Sequence, residues 1–248
     1  MTALPPAPDG GAAPGTGPTP RPRLLDLFCC AGGAADGYAA AGFEVVGVDK
    51  NPQPNYPYRF IQENAIGTLA ARDFLATFDA IHASPPCQRY TRLRHRYTEN
   101  RHPDLIDVIR PGLIASRLPY VIENVEDARG RLHDPVMLCG TMFDGLRVSR
   151  HRYFETSFPL TAPRPCPGRH PLHYTLDKRK AHYGRLDEWT AFVSVNGGGN
   201  CSRAAAADAM GLAHRYLTKG ELNEAIPPAY TRHIGEALMD HLRRGAAA

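Results

Sequence analysis

No stretch of this chain is apolar for long enough to cross a bilayer. The N-terminus has no basic start and no uninterrupted apolar centre, so a secretory signal is not expected and a cytoplasmic location is. The six cysteines form no CxxC pair and no regular spacing, which argues for reduced thiols and against a disulfide framework. Cys166, His170, His173 and His182 match no familiar zinc spacing, so no metal is expected. There is no G-x-x-x-x-G-K-[ST], which argues against a phosphate-gripping nucleotide hydrolase, and no G-x-G-x-x-G. Internal repeats are absent. Charge of one sign is scarce too: 29 basic against 25 acidic residues leave +4, compatible with an anionic partner but not demanding one.

What is present reads as one domain with appendages. Residues 1–22 are rich in Pro, Gly and Ala, which cannot build a core, so a disordered tail is expected. Order begins at Arg23. LLDLF, EVVGVD, YRFIQEN, DAIHA and LPYVIENV read as strands. CCAGGAADGYAAAGF, GTLAARDFLATF and HPDLIDVIRPGLIASR read as helices, with Pro111-Gly112 expected to kink or divide the last. Such alternation predicts an α/β fold, a mostly parallel sheet covered on both faces, over residues 23–160. Residues 161–217, dominated by Pro, His, Arg and Gly, read as a small loop-rich insertion. GELNEAIPPAYTRHIGEALMDHL is helical in pattern and returns residues 218–248 to the main domain.

In an open parallel sheet, ligands bind beyond the C-terminal strand ends. DLFCCAGG sits at such an end, where Gly32 and Gly33 admit close approach to the backbone. Asp49 ends the second strand, where it could accept hydrogen bonds from ribose hydroxyls. SPPCQ, with Cys87, follows the fourth strand; Glu123 and Asn124 end the fifth; Arg150 and Arg152 lie in VSRHRYFE, at the start of a later strand. Each has a plain alternative: a tight turn, a buried thiol, a helix cap, a solvated edge. Their common edge is what points to a site.

DLFCCAGG, GVD, SPPCQ, ENV, SRHRYFE and AIPPAYTRHIGEAL, in this order, resemble the cytosine-C5 DNA methyltransferases, with the similarity closest to short, phage-type members. The resemblance implies a Rossmann-like, doubly wound fold and S-adenosylmethionine as cofactor. It implies that Cys87 adds to C6 of cytosine, that Glu123 engages N3, and that Asn124 sets the loop of Glu123. It places Arg152 on the base O2, with Arg150 in support. Phe28, Gly32, Gly33, Asp49, Asn64 and Pro85 fall on its cofactor pocket. Nearby arginine charge is expected to depress the Cys87 pKa. The implied partner is DNA with the target cytosine flipped out of the duplex, bound by a monomer. A restriction-modification role belongs to the same implication. Arg89, Arg92, Arg94 and Arg96, with Lys178, Arg179 and Lys180, suit phosphates, although such charge runs are often only a solvated surface.

The chain departs from the family pattern in places. Cys30 stands where a glycine is usual, Asn64 where an acid usually meets the adenine amino group, and Val148 where a glutamine precedes the arginine pair. Asn223-Glu224 replace the usual Gly-Asn, and RYT follows PCQ. No reacting group is lost. Two other readings stay open: action on RNA or a free cytosine nucleotide, and a catalytically silent protein that binds nucleic acid or the cofactor.

Overall fold

The computed structural model describes residues 20–87, 90, 104–167, 169–170, 173–174, 186–195 and 201–246. Its main sheet has seven strands in the order β3-β2-β1-β4-β5-β7-β6. These are β1 (Arg23–Leu27), β2 (Glu44–Asp49), β3 (Arg59–Gln62), β4 (Ala80–Ala83), β5 (Tyr120–Asn124), β6 (Val136–Leu138) and β7 (Arg152–Thr156). The first five run parallel, and β7 lies antiparallel between β5 and β6. The expected doubly wound α/β architecture is therefore the one the chain adopts.

Period-two alternation explains how both faces are covered. Leu24, Val45, Ala80 and Val121 enter one apolar cluster, while Leu25, Val46, Ile81 and Ile122 enter the other. The first face is covered by α1 (Gly33–Ala40) and α7 (Pro228–Ala246), packed together. The second is covered by α2 (Ala65–Ala70) and α4 (Leu105–Ser116), with the single-turn α3 (Arg72–Leu75) between them in sequence. Gly37 is what lets α1 and α7 meet: a Cβ there would fall 2.1 Å from Thr231 Oγ1 and 2.2 Å from the Pro228 carbonyl. Thr231 then donates its hydroxyl to the Ala34 carbonyl at 2.8 Å.

Three local expectations are revised. Pro111 does not divide its helix, because α4 runs through it. Arg110, one residue before, is clamped at 3.0 Å by Glu155, buried on the sheet, which ties that turn down. The stretch expected as one helix over GTLAARDFLATF is two, separated at Ala71. The C-terminal pattern is also two helices, α6 (Lys219–Glu224) and α7, because Pro227 and Pro228 have no N–H with which to continue a helix. Pro228 instead opens α7, a position proline suits.

Within residues 161–217, the structure shows a two-stranded parallel pair, β8 (His173–Tyr174) and β9 (Phe192–Val193), and the helix α5 (Arg203–Ala209). The span is less loop-like than its composition suggests. Ala205, Ala206, Ala207 and Ala209 of α5 pack with Val193, Met210 and Leu212 against Ala31 and Val148 of the main domain. No helix among the described residues is long and apolar enough to cross a membrane.

Candidate active site

The sheet order reverses between β1 and β4, so the loops leaving these two strands part and open a crevice at the C-terminal edge. One wall is the turn Phe28–Gly33. Its backbone is left-handed at Phe28 (φ 58), Cys30 (φ 45) and Gly32 (φ 85). Non-glycine residues enter that region at a cost of about 1 kcal/mol each, so the turn is held by its surroundings. Asp49, from the end of β2, supplies part of the hold: its oxygens accept from the Cys30 N–H at 3.3 Å and the Asn51 N–H at 2.9 Å. Each oxygen keeps a second lone pair, so the carboxylate suits a ribose diol as well.

The other wall is the loop Ser84–Cys87. Asn124 Nδ2 donates to the Pro85 carbonyl at 2.9 Å, and Asn124 Oδ1 accepts from the Val125 N–H at 2.9 Å. That one amide couples the cysteine loop to the end of β5. Because β7 is antiparallel, its first residues lie at the same edge as the last of β5, with Asn124 opposite Tyr153 and Glu123 opposite Phe154. Arg152 Nε thereby reaches Glu123 Oε1 at 3.0 Å, with both side chains largely shielded from water.

Burial governs the chemistry here. Burial raises the Glu123 carboxyl above its ordinary value, opposed by Arg152, Arg150 and a hydrogen bond from Ser84. Burial likewise raises the Cys87 thiol, with Arg152 and Arg150 pulling it down and Glu123 pushing it up. The expected depression of this thiol is thus reversed: the arginines are close enough to act, but desolvation of the thiolate outweighs them. Arg150 is half-buried. Its guanidinium donates to the carbonyls of Val195, at 2.7 Å, and Asn223, and its own carbonyl accepts from Tyr230 OH at 2.7 Å. Burial lowers it to about 9, Arg152 adding to the effect, so it stays cationic at neutral pH. Arg150 Nε has no partner among the described residues.

The structure brings Cys87, Glu123, Asn124, Arg150 and Arg152 to one edge and places Phe28, Gly32, Gly33, Asp49 and Pro85 around the adjoining crevice. Asn64 Oδ1 caps α2 by accepting from the Ile66 N–H at 2.9 Å, which leaves one lone pair for a ligand. Arg89, Arg92, Arg94, Arg96, Lys178, Arg179 and Lys180 lie outside the described residues.

Sequence reasoning missed several residues. Ser84 touches Glu123 and also lies 2.7 Å from His82 Nε2, whose Nδ1 meets Tyr38 OH at 2.9 Å. This buried relay stiffens the floor under Glu123, and an alternating strand pattern contains nothing that announces it. Asp26, central in β1, is raised to about 8 by burial, with a long hydrogen bond from Tyr56 OH opposing. An acid inside an apolar strand was the available signal. Two family departures meet in space: the Cys30 thiol hydrogen-bonds the Glu224 carboxylate, and burial followed by that charge raises the thiol far above its usual range. They bridge the glycine turn and the segment leading into α7.

Comparison with known proteins agrees with this geometry. The family model for C-5 cytosine-specific DNA methylase matches residues 23–134. A mouse tRNA (cytosine(38)-C(5))-methyltransferase is 24% identical over 223 residues, which cover 76% of this chain. The chain spans about half the length of that relative, 53%. Among solved structures, a protein described as a DNA modification methyltransferase encoded within a prophage of E. coli aligns with TM-score 0.54 at 16% identity. The Dnmt2 methyltransferase of S. pombe aligns with TM-score 0.54 at 15% identity. Each alignment covers 90% of this chain and 99% of the other. At such identities the structural likeness establishes the fold alone.

Proposed function

We propose, from the premise that this chain belongs to the C-5 cytosine-specific DNA methylase family, that it methylates C5 of cytosine in DNA through a covalent adduct at Cys87. The observation that carries the reading is the Glu123–Arg152 pair, 3.0 Å apart, beside the cysteine loop at the switch-point edge. The crevice fits the expected cofactor: Asp49 offers acceptors suited to a ribose, and Phe28 an aromatic face beside the glycine turn. When bound, S-adenosylmethionine supplies an electrophilic methyl group.

C5 of cytosine is too weak a nucleophile to take a methyl group unaided. Cys87 forms an S–C6 bond while Glu123, whose carboxyl is raised by burial, gives N3 a proton. The ring becomes an enamine, nucleophilic at C5. Once C5 carries the methyl group, its proton passes to solvent, which re-forms the C5–C6 double bond and expels the thiolate, and N3 returns its proton to Glu123. Arg152 holds Glu123 in place and offers its remaining N–H groups to the base O2. Arg150, spent on two backbone carbonyls, positions the strand that carries Arg152. Arg152 and Arg150 are the groups that favour the Cys87 thiolate against its burial.

A second reading, cytosine-C5 methylation of RNA, is favoured by the likeness to the tRNA methyltransferase. Incubation with labelled S-adenosylmethionine and, separately, duplex DNA, tRNA and dCMP distinguishes them. Label in DNA as 5-methylcytosine is the expected result. Label in tRNA alone establishes the second reading, and label in none of the three refutes both.

A further inference from the structure

The fold assembles four metal-ligating side chains that take no part in the proposed reaction. Cys139 follows β6, His151 precedes β7, and Cys166 and His170 lie at the base of the insertion. Their ligand atoms all lie within 4.8 Å of one another. His151 Nε2 and His170 Nε2 are 3.2 Å apart. Cys166 Sγ is 3.1 Å from His170 Nε2 and 3.7 Å from His151 Nε2, and Cys139 Sγ is 3.5 Å from His170 Nε2.

We propose that these residues form a tetrahedral Cys2His2 zinc site with a structural role. Four of the six ligand–ligand separations match the edges of a coordination tetrahedron. Zn–S bonds of ~2.3 Å and Zn–N bonds of ~2.05 Å require edges of about 3.3 Å for N···N and about 3.5 Å for N···S. A hydrogen-bonded cluster of neutral thiols and imidazoles has no reason to aim both Nε2 atoms and both sulfurs at one point. The surroundings suit a metal as well. Glu126 Oε2 is 3.7 Å from His151 Nδ1, placing a carboxylate behind the ligating imidazole. Thr141 Oγ1, 3.0 Å from Cys139 Sγ and 3.9 Å from Cys166 Sγ, can donate to a thiolate. Binding releases one proton from each thiol, and two thiolates with one divalent ion leave a neutral centre, which explains how fully buried Cys139 can serve. Four protein ligands leave no open position, so the ion has no catalytic role.

The expectation of no metal rested on linear spacing. The sequence places Cys166 and His170 close together, but their partners, Cys139 and His151, come from strand ends that the sheet brings together. The site would pin the base of the insertion to the strand bearing Arg150 and Arg152, since His151 lies between them.

The test uses untagged full-length protein. Metal analysis should find about one zinc per chain, and Co2+ added to chelator-stripped protein should give the intense visible bands of a tetrahedral thiolate-bound ion. Proton release should be about two per ion. Cys166→Ser and His170→Ala should each abolish the bands. Glu126→Gln should keep them and weaken Co2+ affinity by about 10–100-fold. Stripped, folded protein that takes up no Co2+ overturns the proposal. So do bands that survive Cys166→Ser, or a Cys139–Cys166 disulfide in freshly isolated protein.

Discussion

Glu123→Gln separates the chemical role of the buried carboxyl from its structural one. Truncation to alanine would be uninformative, because Arg152, itself largely buried, would lose the carboxylate paired with it at 3.0 Å. Breaking such a pair costs about 3–5 kcal/mol and could unfold the edge. Glutamine keeps the shape and an Oε1 acceptor for Arg152 Nε. What remains is the difference between a charge–charge and a charge–neutral hydrogen bond, about 1–2 kcal/mol. Relief of burying an ionised carboxylate offsets part of that, since burial already raises this group. The melting temperature should therefore change by only a few degrees. Catalysis should change far more. An amide cannot deliver a proton to N3, and loss of general-acid assistance costs about 10²–10⁴ in rate, or about 2.7–5.5 kcal/mol of barrier. Single-turnover 5-methylcytosine formation, measured beside a thermal melt, reads both quantities. A variant that methylates within about fivefold of the parent refutes the proton-delivery role. One that loses rate only in proportion to lost folded protein shows the carboxylate to be merely structural.

Cys87→Ser should abolish turnover in a folded protein, and DNA containing 5-fluorocytosine should trap the parent covalently, because fluorine cannot leave as the proton does; peptide mapping of the adduct to Cys139 would remove Cys87 from its role. Gly37→Ala should destabilise by about 2 kcal/mol or more in urea denaturation, overpacking exceeding the gain in helix propensity, since the new methyl meets Thr231 Oγ1 and the Pro228 carbonyl; a neutral effect would show that α7 can slide on α1. Asp26 should shape the alkaline limb of stability: the native chain keeps its proton to about pH 8 while the unfolded chain releases it near 3.8, so the unfolded state binds fewer protons between these values and stability falls as pH rises through them. Asp26→Asn should flatten that fall in melts taken above pH 6.5, clear of His82, which burial holds to about 3 and which weakens the fold only on the acid side of 6.5; equal slopes in parent and variant would refute the assignment.

The amino-acid sequence alone determined the features that depend on near neighbours along the chain. Alternation over LLDLF, EVVGVD and LPYVIENV set the buried strands, and glycine, proline and the acid at strand ends set the turns, because steric and solvation preferences act residue by residue. The order of elements then placed Cys87, Glu123 and Asp49 at one edge. Other features needed the tertiary structure. Proline at 111 breaks helices in isolation, yet Arg110 on Glu155 carries α4 through it. Arginines near a thiol lower its pKa in water, yet burial of Cys87 raises it, and burial is a property of the whole packed edge. Cys30 and Glu224 look like unrelated departures until the packing of α6 brings them into contact. The cluster of Cys139, His151, Cys166 and His170 exists only because two antiparallel strand ends and the insertion meet. Distances between residues far apart in sequence are set by the packing of elements, and one-dimensional spacing carries no measure of them.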